Sequence, residues 1–240
     1  MEHRDRLWPG GYTFLYDDGL FRPSTDTFLL GSFPRLRRGT TVCELGAGTG
    51  LLSLLLLARE PELTVTGVEL QPQACALFRR TAEENGLQGR MHCLEGDLRQ
   101  GLLPPGRFRL AVANPPYFPP DAGAVAPDAA RRTARAETDC TLSQLCAAAA
   151  RALTWGGSFC LVHRPDRLAD VLGELRRVRL EPKRLRFVHH TAAAPPSLFL
   201  LEARLGGGVG LTVEPPLLLH GPDGGETEDV RRAYFRDKEE

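Results

Sequence analysis

Asn114-Pro115-Pro116-Tyr117 follows directly on the apolar run RLAVA. Each proline lacks a donor N–H and fixes φ, so neither a helix interior nor a strand ladder accommodates the pair. The run must end at Asn114, and the chain beyond it is rigid. A plain turn needs Gly, Asp or Asn with one Pro and no aromatic behind it. Here the Asn side-chain carbonyl and the Pro115 backbone carbonyl are both acceptors, and Tyr117 offers a flat face on which a ring can stack. Two acceptors aimed at one planar amine hold its hydrogens out of the ring's favoured geometry and localise its lone pair for attack. That is orientational and electrostatic catalysis without a strong base.

A second constellation, CELGAGTG, sets Glu44 two residues before Gly46, with Gly48 and Gly50 following at the mouth of a helix. Glycines there let a ligand approach the backbone. Leu51 stands where the dinucleotide fingerprint needs its third glycine, and no Gly-Lys-Ser/Thr of a phosphate loop is present. A carboxylate at Glu44 would repel a pyrophosphate but suits an ammonium or sulfonium, and S-adenosylmethionine (SAM) carries both. Glu69 closes the next β-rich run, at the spacing of an acid that accepts the two ribose hydroxyls. Asp97 in EGDL comes after a third run, placed to accept from an adenine amino group. Three acids at successive strand ends, read with no basic residue among them, fit SAM better than a nicotinamide dinucleotide.

These residues need a scaffold, and the patterning from residue 40 onward predicts one. Strands are expected at TTVCELGAG, TVTGVEL, MHCLEGD, FRLAVAN, SFCLVH, KRLRFVHH and SLFLLEARL. Helices are expected at TGLLSLLLLARE, QPQACALFRRTAEENG (ending at Asn85-Gly86), TLSQLCAAAARALTWGG (capped by Thr141 or Asp139, ended by Gly156-Gly157) and RLADVLGELRRVR. No helix separates the last two strands. The alternation implies an α/β domain with a mostly parallel sheet, helices on both faces and a final antiparallel pair. Upstream, YTFLYDDGLF reads as a short β segment, leading into a helix that starts near Ser24 or Thr25. Residues 119–138 form a Pro/Ala/Arg-rich insertion, and the mixed-charge tail GPDGGETEDVRRAYFRDKEE is expected on the surface.

Composition narrows the function classes. The 240 residues suit one large α/β domain, and 42% hydrophobic content is that of a globular core. With 30 basic and 30 acidic residues the net charge is zero, which argues against a uniformly basic nucleic-acid coat but leaves room for a local basic face. All the cations but Lys183 and Lys238 are arginines. Six cysteines without a CxxC pair predict reduced thiols, a cytoplasmic location and no zinc site. The longest apolar stretch, LLSLLLLA, is too short to span a bilayer, and MEHRDRLWPGG lacks a signal-peptide core.

ELGAGTG, VEL, EGD and NPPY together resemble the successive motifs of class I SAM-dependent amino-methyltransferases that act on planar nitrogens. Over nearly its whole length the chain is similar to the bacterial tRNA1(Val) adenine-37 N6-methyltransferase family. GLFRPSTDTFLLGSF resembles that family's N-terminal segment, and ARRTARAE, KRLRFVHH and EPPLLLHGPDGGETEDVRRAYF also match. The chain departs from it at His189-His190, where the family often has His-Pro, and in its alanine-rich insertion. Adjacent histidines on alternate strand faces do not share a metal, so no metal is expected.

The resemblance implies a Rossmann-like class I methyltransferase domain over residues 40–240, with a seven-stranded mostly parallel sheet and an antiparallel last strand. Residues 1–39 would be an extension that helps close the cofactor pocket. The implied cofactor residues are Glu44, Gly46, Ala47, Gly48, Gly50, Glu69, Leu70, Asp97, Leu98 and Asn114, with Arg22 and Thr25 from the extension. Asn114, Pro115, Pro116 and Tyr117 would be catalytic, and the acceptor an adenine N6 amine in a tRNA anticodon loop. For RNA phosphates, Arg131, Arg132 and Arg135 stand next to the motif, Lys183, Arg184 and Arg186 on the sixth strand, and Arg35, Arg37 and Arg38 before the first. A monomer is expected, with a dimer as the alternative. Two other readings stay open: the same chemistry on a glutamine amide or guanine N2, and a non-catalytic SAM- or RNA-binding module. The short stretch before the first strand argues against the glutamine enzymes, which usually carry a helical domain there, and the intact motif argues against the binding module.

Overall fold

A computed structural model describes residues 1–20, 22–115 and 140–238. The chain opens with an antiparallel hairpin, β1 (Glu2–Arg6) and β2 (Thr13–Asp17), followed by helix α1 (Thr25–Ser32). The first of these strands gives no sequence signal, because EHRDR is polar on both faces and almost wholly exposed. The hairpin docks through Asn85, whose amide exchanges hydrogen bonds with the Thr13 backbone: Oδ1 accepts from N at 2.8 Å and Nδ2 donates to O at 2.6 Å.

The alternating runs then form β3 (Thr41–Leu45), α2 (Leu51–Arg59), β4 (Thr64–Glu69), α3 (Pro72–Glu84), β5 (Met91–Glu95) and β6 (Phe108–Ala113). Beyond residue 139 come α4 (Leu142–Ala152), β7 (Leu153–His163), α5 (Leu168–Arg177), β8 (Leu180–His189) and β9 (Pro196–Leu205). The sheet order is β5-β4-β3-β6-β7-β9-β8, parallel throughout except that β9 runs antiparallel to both neighbours. Two-residue strands β10 (Thr212–Val213) and β11 (Leu217–Leu218) each pair with β8, so among the described residues the sheet has nine strands rather than the seven expected. Such short additions carry no periodicity to read. The strand order reverses direction between β3 and β6, which opens a crevice at their C-terminal ends.

Side chains alternate between two cores, as a period of two requires. Val42, Leu110 and Val112 face α1, α2 and α3, while Cys43, Ala111 and Ala113 face α4 and α5. The leucine run of α2 is buried on every side because the sheet covers one flank and α1 the other. At Gly31 of α1 a Cβ would come within 3.0 Å of Leu55, so glycine lets the two helices approach. Each of the fully buried leucines contributes about 2 kcal/mol of burial free energy.

Two boundaries differ from expectation. Helix α4 carries the capping box of Thr141 and Gln144 but ends at Ala152, and residues 153–157 already run into β7 with Gly156 at φ 77°. Thr154 and Trp155 favour extended backbone, and they override the helical pattern. The tail is not a surface appendage. Helix α6 (Glu228–Ala233) and Phe235 bury Val230, Ala233 and Phe235 in the core shared with α1 and the hairpin. Among the described residues no helix is long and apolar enough to cross a membrane.

Candidate active site

The turn after β3 is held by its own backbone. The Gly46 and Ala47 N–H groups both donate to the Val68 carbonyl at 3.0 Å, and the Gly50 N–H donates to the Ala47 carbonyl at 2.9 Å. The glycines divide into two kinds. A Cβ on Gly48 (φ 53°) would enter open space, which leaves a cradle above the loop. On Gly50 (φ 87°) it would strike Phe78 at 2.6 Å and Met91 at 2.7 Å, so that glycine serves packing.

Glu69, buried at the end of β4, clamps this loop. Its Oε2 accepts from the Gly48 N–H at 2.8 Å and its Oε1 from the Gln71 N–H at 2.9 Å. A carboxylate has about four acceptor positions, so two of them can still serve a ligand's hydroxyls.

Glu44, 3% exposed, has a different duty. Gly50 caps α2 without a side chain, and the Glu44 Oε2 takes over by accepting from the Ser53 N–H at 3.0 Å and from the Ser53 hydroxyl. Burial pushes its pKa up to about 8, against the lowering pull of the Ser53 bonds.

Asp97 lies beyond β5 and caps the 3-10 turn Leu98–Gln100, accepting from the Arg99 N–H at 2.8 Å. The Arg99 guanidinium adds further bonds and holds the carboxyl below the usual range. The expectation of strand-end acids with no basic partner is therefore corrected: two residues of 3-10 turn bring Arg99 back onto Asp97. Leu70 is exposed and Leu98 half-buried beside these acids, apolar surface suited to a flat ring.

Asn114 stands one residue past β6, beside the glycine loop because β6 pairs with β3. Its Nδ2 donates to the Thr27 Oγ1 of α1 at 3.0 Å. The tail closes the same corner: the Tyr234 hydroxyl donates to the Thr25 Oγ1 at 3.1 Å, and its ring stacks on Phe28 with centroids 4.3 Å apart. Arg22 is exposed and pairs with Asp18 at 2.8 Å. Pro116, Tyr117, Arg131, Arg132 and Arg135 lie outside the described residues. Ser53, Arg99, Thr27 and Tyr234 belong to the site although no sequence motif marks them. Only Arg99 has a usable signal, its place two residues after a strand-end acid.

The strand-six cations, expected to meet phosphate, are engaged within the fold. Arg184, its side chain 13% exposed, bridges Glu202 and Glu214 and lies 4.3 Å over the Phe33 ring. Arg186 binds Asp229 at 2.5 Å and the Pro215 carbonyl at 3.0 Å, and Lys183 donates to the Gly208 carbonyl at 2.8 Å. These cations knit β8 to the segment after β9, and Lys183 lies near the strand end opposite the crevice, level with β9's last residues. Arg35 and Arg38 pair with Glu214 and Glu62. Among the described residues no group of three or more His, Cys, Asp or Glu could hold a metal.

This sheet order, with a glycine cradle after its first parallel strand and acids closing the next two, is the fold of class I SAM-dependent methyltransferases. The chain belongs to the methyltransferase small domain family, whose match spans residues 23–179. It is 31% identical over 182 residues to the tRNA1(Val) (adenine(37)-N6)-methyltransferase of Yersinia enterocolitica, covering 73% of this chain and 71% of that one. The namesake in Yersinia pestis is 32% identical over 160 residues, and the alignment spans 64% of each chain, just under two thirds. Among solved structures, a predicted O-methyltransferase, protein Atu636 from Agrobacterium tumefaciens, superposes with TM-score 0.72 at 22% identity, over 87% of this chain and 96% of that one. At that identity the likeness speaks for the fold alone.

Proposed function

We propose that this methyltransferase acts on the exocyclic N6 amine of an adenine in RNA, specifically an anticodon-loop adenosine at position 37 of a valine tRNA. The observation that carries the reading is Asn114 at the crevice, with its amide NH2 end bound to Thr27 and Pro115 next in sequence. The Asn114 Oδ1 and the Pro115 carbonyl are the acceptor pair for a planar amine in this reading. The Yersinia relatives supply the acceptor's identity.

SAM, when bound, supplies an electrophilic methyl group on sulfur. Glu69 holds the ribose hydroxyls, Asp97 the adenine amino group, and Leu70 and Leu98 flank the adenine ring. Gly46, Ala47, Gly48 and Gly50 form the cradle, and Glu44 supports it from below through Ser53. Asn114 and Pro115, with Pro116 and Tyr117, hold the target amine's hydrogens and stack its base, which must be splayed out of the loop to enter. The proton lost after transfer passes to these acceptors and on to water. Residues 1–39, with Arg22 and Thr25, close the pocket over residues 40–240. Arg131, Arg132 and Arg135 grip the phosphates. The enzyme works as a cytoplasmic monomer.

The test is tritium transfer from labelled SAM into total tRNA lacking the mark, followed by nucleoside analysis. Label is expected in N6-methyladenosine. Label only in protein glutamine or in N2-methylguanosine would replace the acceptor, and transfer to nothing despite SAM binding would end the catalytic reading.

A further inference from the structure

With 30 basic and 30 acidic residues the chain has an acid for every cation, yet four arginines at one edge of the sheet go without one. Arg107 and Arg109 stand at the start of β6, Arg179 follows α5, and Arg204 lies at the end of the antiparallel β9; all four are exposed. Among the described residues none of them forms an ion pair. The acids nearest Arg179 and Arg204 in sequence, Glu174, Glu181 and Glu202, are held by Arg177, Arg176 and Arg184.

Strand pairing gathers the four around Trp155, at the edge opposite the crevice. The Arg107 N–H donates to the Ala152 carbonyl at 2.9 Å, Phe108 pairs with Leu153, Arg204 pairs with Ser158, and the Gly206 N–H donates to the Arg179 carbonyl at 2.8 Å. Trp155 is 66% exposed. The Arg179 guanidinium lies 4.7 Å from its ring centroid, and a Cβ on Gly206 would fall 2.2 Å from the indole, so the ring rests on bare backbone. Arg179 reaches the ring from φ 64°, a left-handed conformation whose ordinary occupant after a helix is glycine. The fold thus accepts backbone strain where it holds a cation and an aromatic ring together at the surface.

We propose that this edge is a second RNA contact, at which Arg107, Arg109, Arg179 and Arg204 hold backbone phosphates and Trp155 keeps Arg179 in place. The proposal rests on RNA being the substrate. Arginine is the cation suited to phosphate, and a basic edge on a neutral chain draws RNA to one side of it. Asn114 is six residues beyond the start of β6, about 20 Å at the rise of a strand. The phosphates held at this edge therefore belong to the stem of the RNA rather than to the target nucleotide.

The test measures the Kd for unmodified tRNA across a salt series for wild type, Arg109→Ala combined with Arg179→Ala, Trp155→Ala and Trp155→Phe. Methylation of a minimal anticodon loop closed by a short stem, and the Kd for SAM, are followed in each. The double variant is expected to bind tRNA ~10- to 30-fold more weakly and to lose roughly 2 from the slope of log affinity against log salt. Trp155→Ala weakens binding by ~3-fold, and Trp155→Phe restores it. Methylation of the minimal loop and SAM binding stay at wild type in all three, which checks that the fold is intact. A double variant with wild-type affinity and slope overturns the proposal, as does an equal loss on the minimal loop. If the double variant loses self-association while binding tRNA normally, the edge joins two copies of this chain and the proposal fails. If the wild type binds tRNA but methylates none, the acceptor reading falls instead, and the salt slope alone decides the role of this edge.

Discussion

The proposed cofactor half of the crevice is held by partners close along the chain: Glu44 meets Ser53 nine residues on, Gly48 meets Glu69 after 21, and Asp97 meets Arg99 after two. The proposed acceptor half is held from afar. Asn114 meets Thr27, 87 residues earlier, and Thr25 meets Tyr234 across 209 residues. The first half is a local motif that folds with its strand and helix; the second exists only when the extension, the sheet and the tail have all packed. Damage at a distance should therefore reach methyl transfer before it reaches cofactor binding.

The sharpest way to break this contrast is Asn114→Ala. Single-turnover transfer should fall by ~10²–10³-fold while SAM affinity stays near wild type; a parallel loss of affinity would join the two halves. Next in size, Arg184→Ala leaves Glu202 without its ion-pair partner and Glu214 with only the more distant Arg35, at 3.9 Å. It should cost about 3 kcal/mol of stability by denaturant titration, and tRNA affinity measured on the folded fraction should be unchanged. Selective loss of tRNA binding would restore a phosphate role to Arg184. Glu69→Ala frees the Gly48 loop and should weaken SAM binding by ~30-fold, about 2 kcal/mol, in calorimetry, with the rate at saturating cofactor largely kept.

The remaining effects are those of pH. Glu44 is raised from its ordinary 4.5 to about 8 by burial, so the folded chain holds a proton that the unfolded chain has released. Its stabilising contribution is full below pH 4.5 and is lost as pH rises through 8. His163, at the end of β7, is lowered from 6.5 to about 4, chiefly by burial; its contribution is present above pH 6.5 and lost as pH falls through 4. Thermal unfolding against pH should show Glu44→Gln flattening the alkaline side of the profile and His163→Gln the acid side. An unaltered profile in either variant contradicts the corresponding assignment.

The same contrast explains how much of the molecule is legible in its sequence. The succession of strands and helices, the glycine loop, the strand-end acids and the Asn-Pro-Pro stop are readable because period-two runs, glycine and proline act within a few residues. Strand β1 is not, since a polar edge strand has no apolar alternation, and the burial of the tail depends on an aromatic contact with α1. Charge is the least legible feature. Arg184 looks like a phosphate ligand in sequence, and only the fold shows that Glu202 and Glu214 claim it. Glu44 and Glu69 are alike in sequence too, yet one supports a helix and the other the cradle.

The most direct test of the central claim measures the SAM dissociation constant and the single-turnover methyl-transfer rate for Asn114→Ala and Glu69→Ala side by side. The account predicts a crossing: Asn114→Ala keeps affinity and loses rate, while Glu69→Ala loses affinity and keeps rate at saturation. If both variants lose the same quantity, the crevice is a single unit and its division into a binding half and a chemical half is wrong.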